Sequence, residues 1–152
     1  MSSGCRRCSP PSCAGACCRS IRNPPITKPP LPAPRAVPPG AQVLTPQNGY
    51  VFVATKSGQT RCQLSTAEVD CESAFTNAPK VNGESANGVR VTAAGELSWV
   101  VGNLGAIPTV TIDYQTYSAV GWIILAGAEG TRFTNTGTGH GMFVSTTSVK
   151  AF

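Results

Sequence analysis

The chain has 152 residues, with twelve Lys and Arg against seven Asp and Glu, one His and a net charge of +5, a length that suits one domain with a real core. Residues 1–48 carry six basic side chains and no acid, whereas residues 49–152 carry six basic and seven acidic ones. The part able to fold is near neutral and lacks the basic face of a nucleic-acid reader, and the longest apolar run, AVGWIILAGA, has the length of a core strand and not of a membrane span.

The opening MSSGCRRCSPPSCAGACCRS holds Cys5, Cys8, Cys13, Cys17 and Cys18 within fourteen positions. The C-x2-C spacing of Cys5 and Cys8, with Cys13 and Cys17, suits a zinc site in principle. Ser-Pro-Pro interrupts the series, however, and no apolar residue or histidine accompanies it. A secretory signal needs a charged start and an apolar stretch of roughly 7 to 15 residues, and CAGAC brings small residues without that stretch. The expectation for residues 1–22 is a disordered leader outside the mature protein, consistent with a misassigned start; a zinc-binding, redox-active or acylated cysteine cluster is the alternative.

Eleven of the thirteen prolines precede residue 49. Residues 23–48, with NPPITKPPLPAPRAVPPG at their start, lack apolar periodicity and are expected to form an extended polyproline II linker. A PxxP ligand for an SH3-like partner is the alternative.

From residue 49 to 152 the pattern has period two, with turn signals about every 8 to 12 residues and no helical stretch. In GYVFVATKSGQTRCQLS a tip at Ser57-Gly58 sets Val53 opposite Cys62 and Val51 opposite Leu64. In RCQLSTAEVDCE a turn at Thr66-Ala67 sets Leu64 opposite Val69 and Cys62 opposite Cys71. Two independent turns thus agree on one register that lines Val51, Val53, Cys62, Leu64, Val69 and Cys71 along one face. Directly opposed residues lie within reach of a disulfide, so a Cys62–Cys71 bridge is predicted, two buried free thiols being the alternative. The bridge implies an oxidising compartment.

GVRVTAAGELSWVVGN predicts a second hairpin with Gly95 in the left-handed region, pairing Val91 with Leu97 and Val89 with Trp99. A third, GWIILAGAEGTRFTN, sets Ile124 opposite Phe133. IPTVTIDYQTYSA supplies a strand with Val110 and Ile112 on one face, and MFVSTTSVKAF closes the series. Eight or nine short strands without helices predict an antiparallel β-sandwich or small β-barrel.

The chemistry is sparser. GTRFTNTGTGHGMFVS holds the lone histidine, His140, and a hydrolase using His140 as base, Ser145 as nucleophile and Asp113 as orienter is the sharpest enzyme reading. Ser145 lies in no nucleophile elbow. The plainer reading makes the stretch a turn between the last two strands, with His140 folded back to hydrogen-bond across the sheet end. Glu68, Asp70 and Glu72 alternate along one strand and read as a solvated surface rather than as paired catalytic acids. No metal or cofactor site is expected: one His without an acidic cluster falls short of a metal site, and the glycines of TGTGHG open no helix. Among the aromatics, Trp99 and Trp122 sit in apolar runs and are assigned to the core. Tyr114 and Tyr117, beside Gln115 and Thr116, are taken as an exposed pair that joins His140 as possible binding residues.

GYVFVATKSGQTRCQLSTAEVDCES, NGVRVTAAGELSWVVGNLG, IDYQTYSAVGW and GTRFTNTGTGHGMFVS together resemble a family of small exported actinobacterial, chiefly mycobacterial-type, envelope proteins of unknown function, over residues 45–152. Such proteins carry a signal or lipoprotein leader, a Pro-rich spacer and then this domain; the leader here departs from them in having no apolar segment. The resemblance implies a secreted or cell-envelope location and supports the Cys62–Cys71 bridge. It carries over no catalytic residue. The expected function is a non-catalytic extracytoplasmic β domain with a binding or structural role, its partner an unidentified envelope component or protein.

Overall fold

The computed structural model describes residues 37–152. The cysteine-rich residues 1–22 and the first part of the proline-rich linker therefore lie outside the described residues. In chain order the strands are β1 (Gln42–Val43), β2 (Val51–Ala54), β3 (Thr60–Leu64), β4 (Glu68–Ser73), β5 (Lys80–Val81), β6 (Glu84–Ser85) and β7 (Gly88–Thr92). They continue with β8 (Leu97–Val100), β9 (Val110–Thr111), β10 (Thr116–Ala119), β11 (Trp122–Gly127), β12 (Gly130–Asn135), β13 (Gly141–Val144) and β14 (Val149–Ala151), with no helix among the described residues. Nine of these strands are four residues or longer, and the other five are two- or three-residue pieces.

Two six-stranded sheets result, in the orders β1-β10-β11-β12-β13-β14 and β8-β7-β4-β3-β2-β9, with β5-β6 as a separate hairpin. Neither sheet closes on itself, so of the two expected architectures the fold is the sandwich. Period-two alternation turns Val53, Leu64, Val69 and Val91 of one sheet against Trp122, Ile124, Phe133 and Met142 of the other, and these form one core cluster. Burial of this apolar surface is the main favourable term in folding. Trp122 buries its whole side chain while its indole N–H donates to the Ser65 carbonyl at 2.8 Å, which satisfies the one polar atom of the ring.

The predicted registers are those of the structure: Val51–Leu64, Val53–Cys62, Cys62–Cys71, Leu64–Val69, Val89–Trp99, Val91–Leu97 and Ile124–Phe133 are all direct partners. Cys62 and Cys71 form a disulfide in the core cluster with Cα atoms 4.1 Å apart. A loop of that length contributes about 2 to 3 kcal/mol by the chain-entropy account.

Four expectations are corrected. MFVSTTSVKAF is not one closing strand but two, β13 and β14, paired across a turn at 145–148, so the stretch around His140 joins β12 to β13 and not the last two strands. The β domain begins before residue 49: β1 pairs in parallel with β10, and Leu44 is buried in the core with its N–H bonded to the Ser118 carbonyl at 2.9 Å. A two-residue parallel strand leaves no alternation to read. Val110 does not join Ile112 in the core, because β9 is the outermost strand of its sheet and Val110 stays 52% exposed there. Tyr117 is buried, at 4% exposure, since β10 turns Tyr117 and Ala119 inward and Thr116 and Ser118 outward.

β8 and β9 are consecutive in the chain yet lie on opposite edges of one sheet. Residues 101–109 must therefore cross the outer face of β7, β4, β3 and β2, and this strap shapes the site described next.

Candidate functional site

The strap is held by side chains from β3 and β4 beneath it and by Asn87, just before β7. The Asn87 side-chain amide donates to the Gly102 carbonyl, and Asn87 Oδ1 accepts from Gly102 N–H at 2.9 Å. Glu72 Oε2 accepts from Leu104 N–H at 3.2 Å and from Arg61 Nη2 at 2.9 Å, and Arg61 Nη1 donates to the Gly105 carbonyl at 2.7 Å. Asn103 Oδ1 closes a local turn on Gly105 N–H at 2.7 Å. The strap thus exchanges the strand-like hydrogen bonds it cannot make for charge-assisted ones, which are about twice as strong as neutral ones.

Strand register explains where the strap runs. Ala54, Arg61, Glu72 and Gly88 are successive cross-strand partners, and the strap follows this row. Phe52, Gln63, Asp70, Arg90 and Ser98 form the adjacent row on the same outer face. Between this row and the strap lies a groove of about 380 Å³, with Gln63, Asp70 and Arg90 as floor and Val101, Asn103 and Leu104 in its wall.

The charges at the floor are paired with one another, one guanidinium facing two carboxylates. Arg90 Nε bonds Asp70 Oδ1 at 2.5 Å and lies 3.5 Å from Glu68 Oε2. The hydrogen bond to Asp70, then its negative charge, raises the Arg90 guanidinium above its ordinary value. The second Asp70 oxygen and the terminal Arg90 nitrogens have no partner among the described residues, and neither does the Gln63 side-chain amide. Tyr50 and Phe52 stack beside the floor, with ring centroids 6.1 Å apart, and Tyr50 is 41% exposed.

The three residues of the hydrolase reading are not brought together. His140 and Ser145 flank opposite ends of β13 (Gly141–Val144), and five residues of extended chain put them about 16 Å apart. Ser145 caps the turn before β14, its hydroxyl donating to the Ser148 carbonyl at 3.0 Å and accepting from Ser148 N–H at 2.9 Å. Asp113 pairs with Lys56 Nζ at 2.8 Å. The Lys56 hydrogen bond, then the Tyr114 N–H, lowers the Asp113 carboxyl below its ordinary range, and the same bond raises Lys56.

His140 does fold back. Its Nδ1 lies 3.2 Å from the Phe152 main-chain oxygen, which requires the proton on that nitrogen, although the residue remains exposed. Its ring also packs over Gly95 of the β7–β8 turn, where a Cβ would fall 2.9 Å from His140 Cγ. The neighbouring Thr138 hydroxyl donates to the Ala93 carbonyl of that turn. The Gly/Thr-rich stretch is therefore a clasp joining the two sheets at one end.

Tyr114 is exposed as expected, with the Lys56 ammonium 5.0 Å from its ring centroid. Tyr117 is not its exposed partner. The buried Tyr117 hydroxyl accepts from Asp113 N–H at 2.7 Å and from the Gln115 amide at 2.8 Å, so its polar tip is satisfied by the turn just upstream.

Arg61, Gln63 and Arg90 were not singled out from the sequence. Arg61 and Gln63 flank Cys62, so the register that predicts the disulfide also places them opposite Glu72 and Asp70. Arg90 faces Asp70 only through the β4–β7 pairing, across the intervening β5-β6 hairpin. No protein-family model, curated protein or solved structure matches the chain.

Proposed function

We propose that this is a non-catalytic extracytoplasmic β domain, secreted or held at the cell envelope, that binds its partner in the strap-walled groove. The observation that carries this reading is the Cys62–Cys71 disulfide in the core, because such bonds persist in oxidising compartments and are rare in the cytosol. The resemblance of residues 45–152 to exported envelope proteins points the same way. The non-catalytic part rests on the separate structural duties of His140, Ser145 and Asp113. Binding rests on the groove, a concave surface with a few convergent polar groups. The test is cell fractionation with alkylation of free thiols before lysis, followed by mass spectrometry of the 62–71 peptide. The expected result is an oxidised pair in the envelope or the culture medium; a reduced pair in a cytosolic fraction would refute the compartment.

A further inference from the structure

We infer that the groove takes a neutral saccharide chain, lying across the strands along the row from Arg90 to Phe52. This rests on the binding role proposed for the groove and adds the chemical class of its ligand.

Three observations converge on that class. Tyr50 and Phe52 form a stacked aromatic pair on the outer face, and an aromatic ring face accepts the apolar C–H face of a sugar ring. Gln63, directly opposite Phe52, offers an amide with one acceptor and two donor N–H groups. Asp70 and Arg90 follow on the next two strands with an oxygen and terminal N–H groups left over from their own pair. Vicinal hydroxyls each donate and accept, so they match a surface that alternates acceptors and donors. A phosphate or carboxylate ligand would call for a net positive floor, and Asp70, Glu68 and Arg90 together are net negative. A strongly basic ligand would compete with Arg90 for carboxylates it already holds at 2.5 and 3.5 Å.

Length agrees as well. Phe52 and Arg90 are three strand intervals apart, about 14 Å, a span suited to a short oligosaccharide and larger than one sugar ring. The apolar Val101 and Leu104 of the strap wall one side of the groove, excluding water from part of the contact. Binding here needs no change in the strap, whose anchors Glu72 and Arg61 belong to the neighbouring row.

The experiment is isothermal titration calorimetry of the full chain with cello-, chito-, manno- and galacto-oligosaccharides, and with a random neutral peptide pool as the competing class. At least one saccharide series is expected to bind. Tyr50→Ala and Gln63→Ala should each weaken it roughly two- to tenfold, the loss of one contact or hydrogen bond, with the thermal midpoint unchanged. Tyr114→Ala, an exposed aromatic elsewhere on the surface, should bind as the unsubstituted chain does. No binding by any saccharide into the millimolar range overturns the inference, as does saccharide binding indifferent to Tyr50 and Gln63. Gln63-dependent binding of the peptide pool alone also overturns it while leaving a binding groove in place. The compartment test stands or falls separately.

Discussion

Outward-facing residues of the β1-β10-β11-β12-β13-β14 sheet include Thr116, Ser118, Leu125, Arg132 and Phe143, and its strands contain no acidic residue. On the β8-β7-β4-β3-β2-β9 sheet the same outward positions hold Arg61, Gln63, Glu68, Asp70, Glu72 and Arg90. Both sheets obey one inner rule, yet only the second places opposite charges at directly paired positions: Arg61 with Glu72 and Asp70 with Arg90. Opposed charges on neighbouring strands each contribute about 0.2 to 1 kcal/mol, too little to explain the fold. Their larger consequence is geometric, because they fix a strap and leave a row of half-used polar groups beside it. Cross-strand pairing of the outward residues, rather than their polarity alone, is what sets the two outer faces apart.

The strongest test of this asymmetry removes the bond beneath the charged face. Replacing both cysteines, Cys62→Ala with Cys71→Ala, is expected to lower the unfolding free energy by about 2 to 3 kcal/mol in urea titration. Hydrogen exchange should show protection lost first in β3 and β4, with β11 and β12 retaining theirs longer. Equal loss in both sheets would mean that the sandwich opens as one unit and that the asymmetry is confined to the surface.

Next in size is the strap. Glu72→Ala leaves the Leu104 N–H and the Arg61 guanidinium without their shared acceptor and should cost about 1 to 3 kcal/mol. Limited proteolysis should then cut between residues 101 and 107. On the other sheet, Leu125→Ser at a position 45% exposed should stay within about 0.5 kcal/mol. A strap that remains protected in Glu72→Ala would show that the Asn87 bonds to Gly102 and the Arg61 bond to the Gly105 carbonyl suffice to hold it.

How far the two faces are legible in the sequence follows from how local each determinant is. The meander β2-β3-β4 and the hairpins β7-β8 and β11-β12 are visible because a turn and its flanking alternation fix the register within about twenty residues. A sandwich is among the architectures the strand pattern predicts, but which strands share a sheet is not visible, nor is the passage of residues 101–109 from one edge to the other, because both depend on pairings between distant segments. Glu68, Asp70 and Glu72 are readable as one face; their partner Arg90 is not, for the same reason. Tyr117 misleads because polar neighbours suggest exposure, whereas its hydroxyl is satisfied four residues upstream. His140 is legible as a turn residue that folds back, but its seat on Gly95 requires the opposing sheet.

That seat supplies the third test, at the junction between the two sheets. Gly95→Ala puts a Cβ against the His140 ring in a backbone with φ of +90°, where the left-handed conformation alone costs about 1 to 2 kcal/mol for an L residue. The double substitution with His140→Ala should recover the steric part and leave the backbone part, measured as a coupling energy in a double-mutant cycle. Zero coupling would mean that the ring gives way freely and that the clasp rests on Thr138 and Ala93.

A smaller effect, of opposite sign, belongs to the sheet without the strap. The β10–β11 turn holds Val120 at φ of +43°, a left-handed conformation that a β-branched side chain adopts at a cost. Val120→Asn gives the Asn-Gly pair that such two-residue hairpin turns favour and should raise stability by up to about 1 kcal/mol. The gain is capped because Val120 also packs against the core, and a net loss would show that this packing outweighs the turn.

The smallest effect is expected at Lys56–Asp113, an ion pair outside both the groove and the clasp, with side chains 54% and 63% exposed. The Asp113 carboxyl is lowered in the folded chain, so its contribution is present above the unfolded carboxylate value and fades as the pH falls through the folded one. Lys56 is raised, so its share is present below the ordinary lysine value and fades only as the pH climbs through the folded one. Between these limits the pair should be fully formed and nearly silent in stability, as solvent-exposed pairs are. Carboxyl chemical shifts followed through acid should place the Asp113 midpoint below that of an ordinary aspartate, and Lys56→Met should move it up. Ligand affinity in the groove should not follow, because Asp113 lies in the connection from β9 to β10 and touches neither Asp70 nor Arg90. A groove that weakens with Lys56→Met would tie its floor to this connection and make the charged face larger than the row from Phe52 to Ser98.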